Sequence, residues 1–205
     1  MPIRGDVMKN KYVIFFDFDN TITKFDILDD MLERFSHDDK WLKLEEDWKN
    51  GLIGSRECLD GQMRGIRITQ SALDRYLATI KLDPAFKKLL KLCDEKNMRK
   101  MILSDNFESI LKKILENNGI SGLDVYCNSV KMAGGRFYPE FPRTDDNCFR
   151  CAHCKTNSLL ENLDSGFTPI YIGDGLSDLC PSKRAGLIFA KAGSTLEKRL
   201  EAESV

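Results

Sequence analysis

At 205 residues, 42% of them hydrophobic, the chain can bury one sizeable core together with a small accessory module. Its 31 Lys and Arg against 32 Asp and Glu leave a formal net charge of −1, which excludes a global attraction to nucleic acid or to an anionic membrane. No long apolar run precedes the first acidic residues and no later run approaches spanning length, so the expected address is cytoplasmic, as a monomer or homodimer with no membrane or nucleic-acid partner.

In chain order, Tyr12-Val13-Ile14-Phe15-Phe16 reads as a short buried strand, and Asp17-Phe18-Asp19-Asn20-Thr21 follows it as a loop carrying two carboxylates and a hydroxyl. The carboxyl end of such a strand is where open α/β sheets place ligands. The stretch from about 25 to 80 reads as helical. Within it Thr69 is an N-cap, and Leu73, Tyr76, Leu77 and Ile80 fall at the spacing of a helix face packed against a core. Asp83-Pro84 then starts a helix whose Phe86, Leu89, Leu90 and Cys93 share one face.

Arg99 to Leu103 is a second short strand, ending in Ser104. A helix with Ile110, Leu111, Ile114 and Leu115 on one side stops near Gly119. Residues Val125 to Met132 and Arg136 to Phe141, joined by Gly134-Gly135, form a hairpin expected to flap over the site. Lys155 opens another helix. Thr168 to Ile172 is a third strand, running into Gly173-Asp174-Gly175-Leu176-Ser177-Asp178, where glycines permit a tight strand-to-helix turn beside two more carboxylates. Ser194 and Glu197 have the spacing of a capping box for the last helix, and the chain ends soon after it, an arrangement expected to leave a sheet edge uncovered.

Each chemistry-bearing station thus follows a strand or begins a helix, so all can meet at one sheet edge. In this the chain resembles the haloacid-dehalogenase superfamily of phosphotransferases, whose four motifs match Asp17/Asp19/Thr21, Ser104, Lys155 and Asp174/Asp178 in order. The resemblance implies an α/β fold: a three-layer Rossmann-like core with a mainly parallel sheet, spanning 1–24 and 81–205, and a helical cap over 25–80. An insertion at that point is similar to the subclass containing phosphoserine phosphatase and the methionine-salvage phosphatase, and a cap that closes implies a small phosphorylated metabolite as substrate.

The resemblance assigns roles that the chemistry explains. Asp17, ionised at neutral pH, would attack phosphorus to give an aspartyl-phosphate. Asp19 would be the general acid and base, its pKa raised by a neighbouring carboxylate. Thr21 and Ser104 would donate to the phosphoryl oxygens, and Lys155 would neutralise them and Asp17. Clustered acids facing a phosphate dianion repel it without a cation, so Mg²⁺ is expected, on the Asp17 and Asp174 carboxylates and the Asp19 main-chain carbonyl, with Asp178 behind them.

Cys148, Cys151 and Cys154 are evenly spaced and end at Lys155; thiolates three apart can share a zinc ion, with Cys127 or His153 completing the set. Cys-rich segments before the motif lysine resemble the methionine-salvage phosphatases, the reading preferred here. Ser104-Asp105-Asn106 leans toward phosphocholine and phosphoethanolamine phosphatases, with Asp105 and Asn106 toward a head group. Asp26 stands where phosphoserine phosphatases carry a glutamate that reads the amine, and a carboxylate-bearing substrate would want Arg64 or Arg67. A different class is a metal-responsive binding protein on a phosphatase scaffold.

Overall fold

The computed structural model describes residues 11–204. A six-stranded sheet has the order β4-β3-β2-β1-β5-β6, formed by β1 (Lys11–Phe16), β2 (Arg99–Phe107), β3 (Asp124–Ala133), β4 (Arg136–Glu140), β5 (Phe167–Gly173) and β6 (Leu187–Ala190). Every pairing is parallel except β3 with β4, the hairpin turned by Gly134 and Gly135, both at positive φ. The sheet is therefore mainly parallel, as the motif order requires. Strand β6 lies at one edge with Leu187 and Phe189 exposed, and the sequence reading assigns no strand there.

Nearly continuous apolar runs make strands that bury both faces. Along β1, Val13 and Phe15 pack with Met101, Leu103, Tyr171 and Leu159 on one side, while Ile14 and Phe16 pack with Ile102 and Phe107 on the other. The first side is covered by α7 (Lys155–Glu161). The second is covered by α5 (Pro84–Glu95) and α6 (Glu108–Asn117) through Phe86, Leu90, Ile110, Leu111 and Ile114. These are the three layers expected of the fold.

Four helices separate β1 from α5: α1 (Ile27–Phe35), α2 (Lys40–Lys49), α3 (Ser55–Gly65) and α4 (Gln70–Thr79). Local signals place their ends. Asp26 caps α1 by accepting from the Leu28 and Asp29 amides, Thr69 caps α4, and Asp83 caps α5 ahead of Pro84. The face carrying Leu73, Tyr76, Leu77 and Ile80 joins the same apolar cluster as the sheet, as its spacing predicts. The hairpin does not stand free: the Ile68 amide donates to the Gly135 carbonyl, and α3 packs on β4. After β5 come α8 (Leu179–Ser182) and α9 (Thr195–Glu203); Ser194 caps α9, but the Glu197 carboxylate reaches the Gly193 amide, one residue earlier than in a full capping box. Among the described residues no helix is long and apolar enough to cross a membrane.

Candidate active site

Register brings the stations level. Phe16 pairs with Ile102 on one side and with Ile172 on the other, so the residues just beyond them emerge at one edge, at the carboxyl ends of three parallel strands. The Asp17 amide still donates to the Ile172 carbonyl at 2.8 Å. The chain then leaves the strand through Asn20, at a left-handed φ of 57° that asparagine tolerates. Asp17 and Asp19 both lie past the last residue of β1, and both line one cavity instead of alternating across the sheet. In β2 the ladder shifts between Leu103 and Phe107, which frees Ser104, Asp105 and Asn106 from regular pairing at the same edge.

Lys155, the first residue of α7, has a side chain only 2% exposed. Its Nζ donates to Asp17 Oδ1 at 2.6 Å, Asp178 Oδ1 at 2.7 Å and Ser177 Oγ at 3.1 Å, placing all three protons. Burial alone would lower its pKa; Asp17 and Asp178 outweigh burial and raise it well above the usual value, so the charge is permanent. Asp178 is fully buried and accepts four hydrogen bonds: from Lys155, from Tyr171 Oη at 2.7 Å, and from the Asp174 and Gly175 amides at 3.0 and 2.9 Å. It is a clamp with no lone pair left over. Gly173 makes room for it, because a Cβ there would lie 2.6 Å from Asp178 Oδ2.

Asp19 is held on both oxygens, Oδ1 by the Ile27 amide at 2.9 Å and Oδ2 by Asn106 Nδ2 at 3.0 Å. Burial, and then Asp26, push its pKa well above the ordinary carboxylate range. Asp17 is also pushed up, by burial and by Asp178, with Lys155 opposing. Asp174 is raised by burial and Asp178, and it accepts from Thr21 Oγ1 at 3.1 Å. Asp17, Asp174 and Asp178 are the one group of three potential ligands among the described residues whose donor atoms lie within 4.8 Å of one another. Since Asp178 is saturated, Asp17 and Asp174 are the two carboxylates with capacity for a cation, a hard oxygen set suited to Mg²⁺.

A cavity of about 470 Å³ opens above these groups. Its floor contains Asp17, Asp19, Ser104, Lys155 and Asp174, and its far wall comes from α1, α2 and α3, through Asp26, Asp29, Glu45, Trp48, Lys49 and Gln62. Ser104 is buried and its Oγ accepts from the Asn106 amide, leaving its own proton to donate. Asp26 reaches the cavity while capping α1.

The residues expected at the substrate are placed differently from one another. Asn106 lines the cavity with its amide engaged by Asp19 and the Phe107 amide, so it positions the carboxylate. Asp105 also lines the cavity; it accepts from the His153 amide at 2.9 Å and from Ser177, and burial raises its pKa. Arg64 is exposed and paired with Asp60 at 2.7 Å, and Arg67 donates to the Arg64 and Ile66 carbonyls; neither lines the cavity. Of the cysteines expected to hold zinc, Cys148 and Cys151 touch at 3.4 Å, and Cys154 Sγ lies 3.9 Å from Asp145 Oδ2.

Residues 14–180 match the haloacid dehalogenase-like hydrolase family. The chain belongs to that family. As a haloacid dehalogenase-like hydrolase it is similar to the 2-hydroxy-3-keto-5-methylthiopentenyl-1-phosphate phosphatase of Brevibacillus brevis, 26% identical over 189 residues that cover 90% of this chain and 85% of the relative. It is also similar to Pdp3-interacting factor 1 of Schizosaccharomyces pombe, 26% identical over 96% of this chain and 89% of that protein. A substrate-bound phosphoserine phosphatase structure superposes with a TM-score of 0.71, covering 93% of this chain and 90% of its own at 17% identity, a likeness of fold.

Proposed function

We propose that this hydrolase is a Mg²⁺-dependent phosphomonoesterase acting on a small phosphorylated metabolite through an aspartyl-phosphate. The observation that carries the reading is the pairing of two differently treated carboxylates on one cavity floor. Asp17 is fixed by the Lys155 cation at 2.6 Å, whereas Asp19 is fixed by neutral donors in a setting that favours its protonated form.

In this reading the Asp17 carboxylate attacks phosphorus, and the ester P–O bond breaks as Asp19 gives its proton to the departing alkoxide. Water then attacks the acyl phosphate, Asp19 takes a proton from it, and inorganic phosphate leaves with Asp17 restored. Lys155 and the Ser104 hydroxyl stabilise the phosphoryl oxygens throughout. Asp17, Asp174 and the Asp19 main-chain carbonyl would hold Mg²⁺, which supplies the charge neutralisation that a crowd of raised carboxylates lacks. Residues 25–80 would act as the cap and the remainder as the core, the cap wall selecting the substrate.

For the leaving group, the methionine-salvage relatives support a 2-hydroxy-3-keto-5-methylthiopentenyl-1-phosphate-like substrate. A second reading, a phosphocholine or phosphoethanolamine, draws on the cap wall itself: Asp26, Asp29 and Glu45 stand with Trp48 against a single cation, Lys49. The same wall, with Arg64 outside the cavity, speaks against phosphoserine. Phosphate release from a matched panel of these four esters, with and without Mg²⁺, for the native chain and Asp17→Asn, tests the reading. Turnover that survives Asp17→Asn overturns the mechanism, and phosphoserine as the preferred ester overturns the cap-wall argument.

A further inference from the structure

Residues 141–154, between β4 and α7, contain no helix or strand, yet they are tied down at both sides of the cavity. At one side the Arg150 carbonyl accepts from the amide of Ser55, the first residue of α3, at 2.9 Å. The backbones there are in direct contact, since a Cβ on Gly54 would lie 1.9 Å from the Phe149 carbonyl oxygen. Ser55 Oγ in turn accepts from Trp48 Nε1 at 2.9 Å, and both residues line the cavity. At the other side the His153 amide donates to Asp105 and the Cys154 amide to the Arg143 carbonyl at 2.8 Å, immediately before Lys155. The segment is a strap joining the wall that faces the substrate to the catalytic lysine.

Cys148 and Cys151 bracket the two strap residues, Phe149 and Arg150, that touch the α2–α3 turn. Their sulfurs are 3.4 Å apart and both side chains are partly exposed, whereas Cys58, Cys93, Cys127 and Cys154 are buried. Phe149 between them is 75% exposed, so a small reagent can approach the pair. We propose that Cys148 and Cys151 are a reversible thiol-oxidation site, and that closing their disulfide slackens the strap's hold on the cap wall.

The oxidant is a low-molecular-weight disulfide. One thiol, as its thiolate, attacks that disulfide and expels one small thiolate; the second thiol gives up its proton and displaces the other small thiol from the mixed disulfide. Two protein thiols and one small disulfide thus become one protein disulfide and two small thiols. A disulfide bond is about 2.05 Å long, so the sulfurs must approach by more than 1 Å. The intervening Arg150 moves with them, and a hydrogen bond already at 2.9 Å has little room to follow. Losing the Arg150–Ser55 bond frees the start of α3 and, through Ser55, Trp48. A local, partly exposed pair of this kind is suited to reversible use, not to holding the fold.

The coupling to turnover rests on the phosphatase reading, but the disulfide and the movement do not. The test is to equilibrate the full chain with graded ratios of oxidised to reduced glutathione. Intact mass with peptide mapping, tryptophan emission and the KM and kcat for p-nitrophenyl phosphate are then followed. The expected result is a loss of two mass units mapped to Cys148 and Cys151 and reversed by reduced glutathione. A change in emission that Trp48→Phe removes should accompany it, with a several-fold rise in KM at nearly constant kcat. Cys148→Ser and Cys151→Ser should keep the reduced-state KM and ignore the oxidant. No crosslink at the most oxidising ratio overturns the site, as does one equivalent of zinc bound to the reduced chain that blocks both thiols. A crosslink with unchanged emission and KM overturns the coupling. A chain with no turnover at all counts against the phosphatase reading, while mass and emission still decide the switch.

Discussion

Replacing Asp178 with asparagine separates the two kinds of carboxylate in this site. Asp178 accepts from Lys155, Tyr171 and two backbone amides, and its side chain is wholly buried. An asparagine has one acceptor oxygen, so either way it turns, its NH₂ faces two of those donors. Each buried donor left without a partner costs roughly 1–3 kcal/mol, and removing one member of a buried ion pair costs about 3–5 kcal/mol. These overlap at Lys155, so Asp178→Asn should lose roughly 3–5 kcal/mol, which for a chain of this size lowers the melting temperature by roughly 6–20 °C. Asp17→Asn should behave differently. It relieves repulsion with Asp178, Lys155 keeps its other partner, and the protein should stay within about 1 kcal/mol of native stability while turnover disappears. Urea melts at pH 7, with parallel rate measurements, compare the two. If Asp178→Asn unfolds at the native urea concentration, the carboxylate is not the clamp described here.

Asn106→Ala removes the donor that favours ionised Asp19, so the pKa of this proposed general acid should rise and the alkaline limb of the pH–rate profile should move to higher pH; a limb that stays or moves down refutes the positioning role. Asp29, beside Asp26 and Glu45, has its carboxyl pushed up to about 7 by partial burial and then by those neighbours. Its folded pKa lies above the unfolded value, so its contribution to stability is present below about pH 4 and lost as pH rises toward 7. Asp29→Asn, which cannot ionise, should therefore match the native chain near pH 4 and exceed it at pH 8, by on the order of 1 kcal/mol because solvent still screens part of the side chain; equal stability at both pH values in urea melts removes the electrostatic account of that wall. Gly54→Ala drives a methyl into the Phe149 carbonyl and should cost roughly 1–3 kcal/mol and raise KM; native stability and kinetics together would show that the strap does not press on α3.

The residues legible in the sequence are those whose position follows from strand ends. Asp17, Ser104 and Asp174 emerge level because parallel strands fix a register, and that register needs only three apolar runs to be recognised. Helix caps at Asp26, Thr69 and Asp83 are equally local. Contacts across the fold are not. Tyr171 reads as one more apolar strand residue, and nothing in Ile170-Tyr171-Ile172 says that its hydroxyl meets Asp178. Asn106 was legible as a polar residue after a strand, but its contact with Asp19 depends on the bulge that turns it. The cysteine spacing shows three thiols leading to Lys155, but it cannot tell which sulfurs meet, as Cys148 and Cys151 do, and which reach another neighbour, as Cys154 reaches Asp145. Glu45, Trp48 and Lys49 carry no motif at all, and only the packing of α2 against α3 brings them to the cavity.

One imbalance underlies both halves of the proposed chemistry. Asp17, Asp19, Asp105, Asp174 and Asp178 crowd one region around a single buried cation, Lys155, which pairs with Asp17 and Asp178. Burial raises the carboxyls of Asp17, Asp19, Asp105 and Asp174, so the site holds more negative charge than its own groups can stabilise. Two remedies are chemically open, a divalent cation or a proton, and the geometry divides them. Asp17 and Asp174 stand within one ion's reach of each other, whereas Asp19 is bound by an amide and a carboxamide and is best relieved by protonation. In the proposed reading, a metal on one side and a proton on the other would keep the nucleophile ionised and the acid loaded at the same pH, which is what cleaving a phosphate ester in two steps requires.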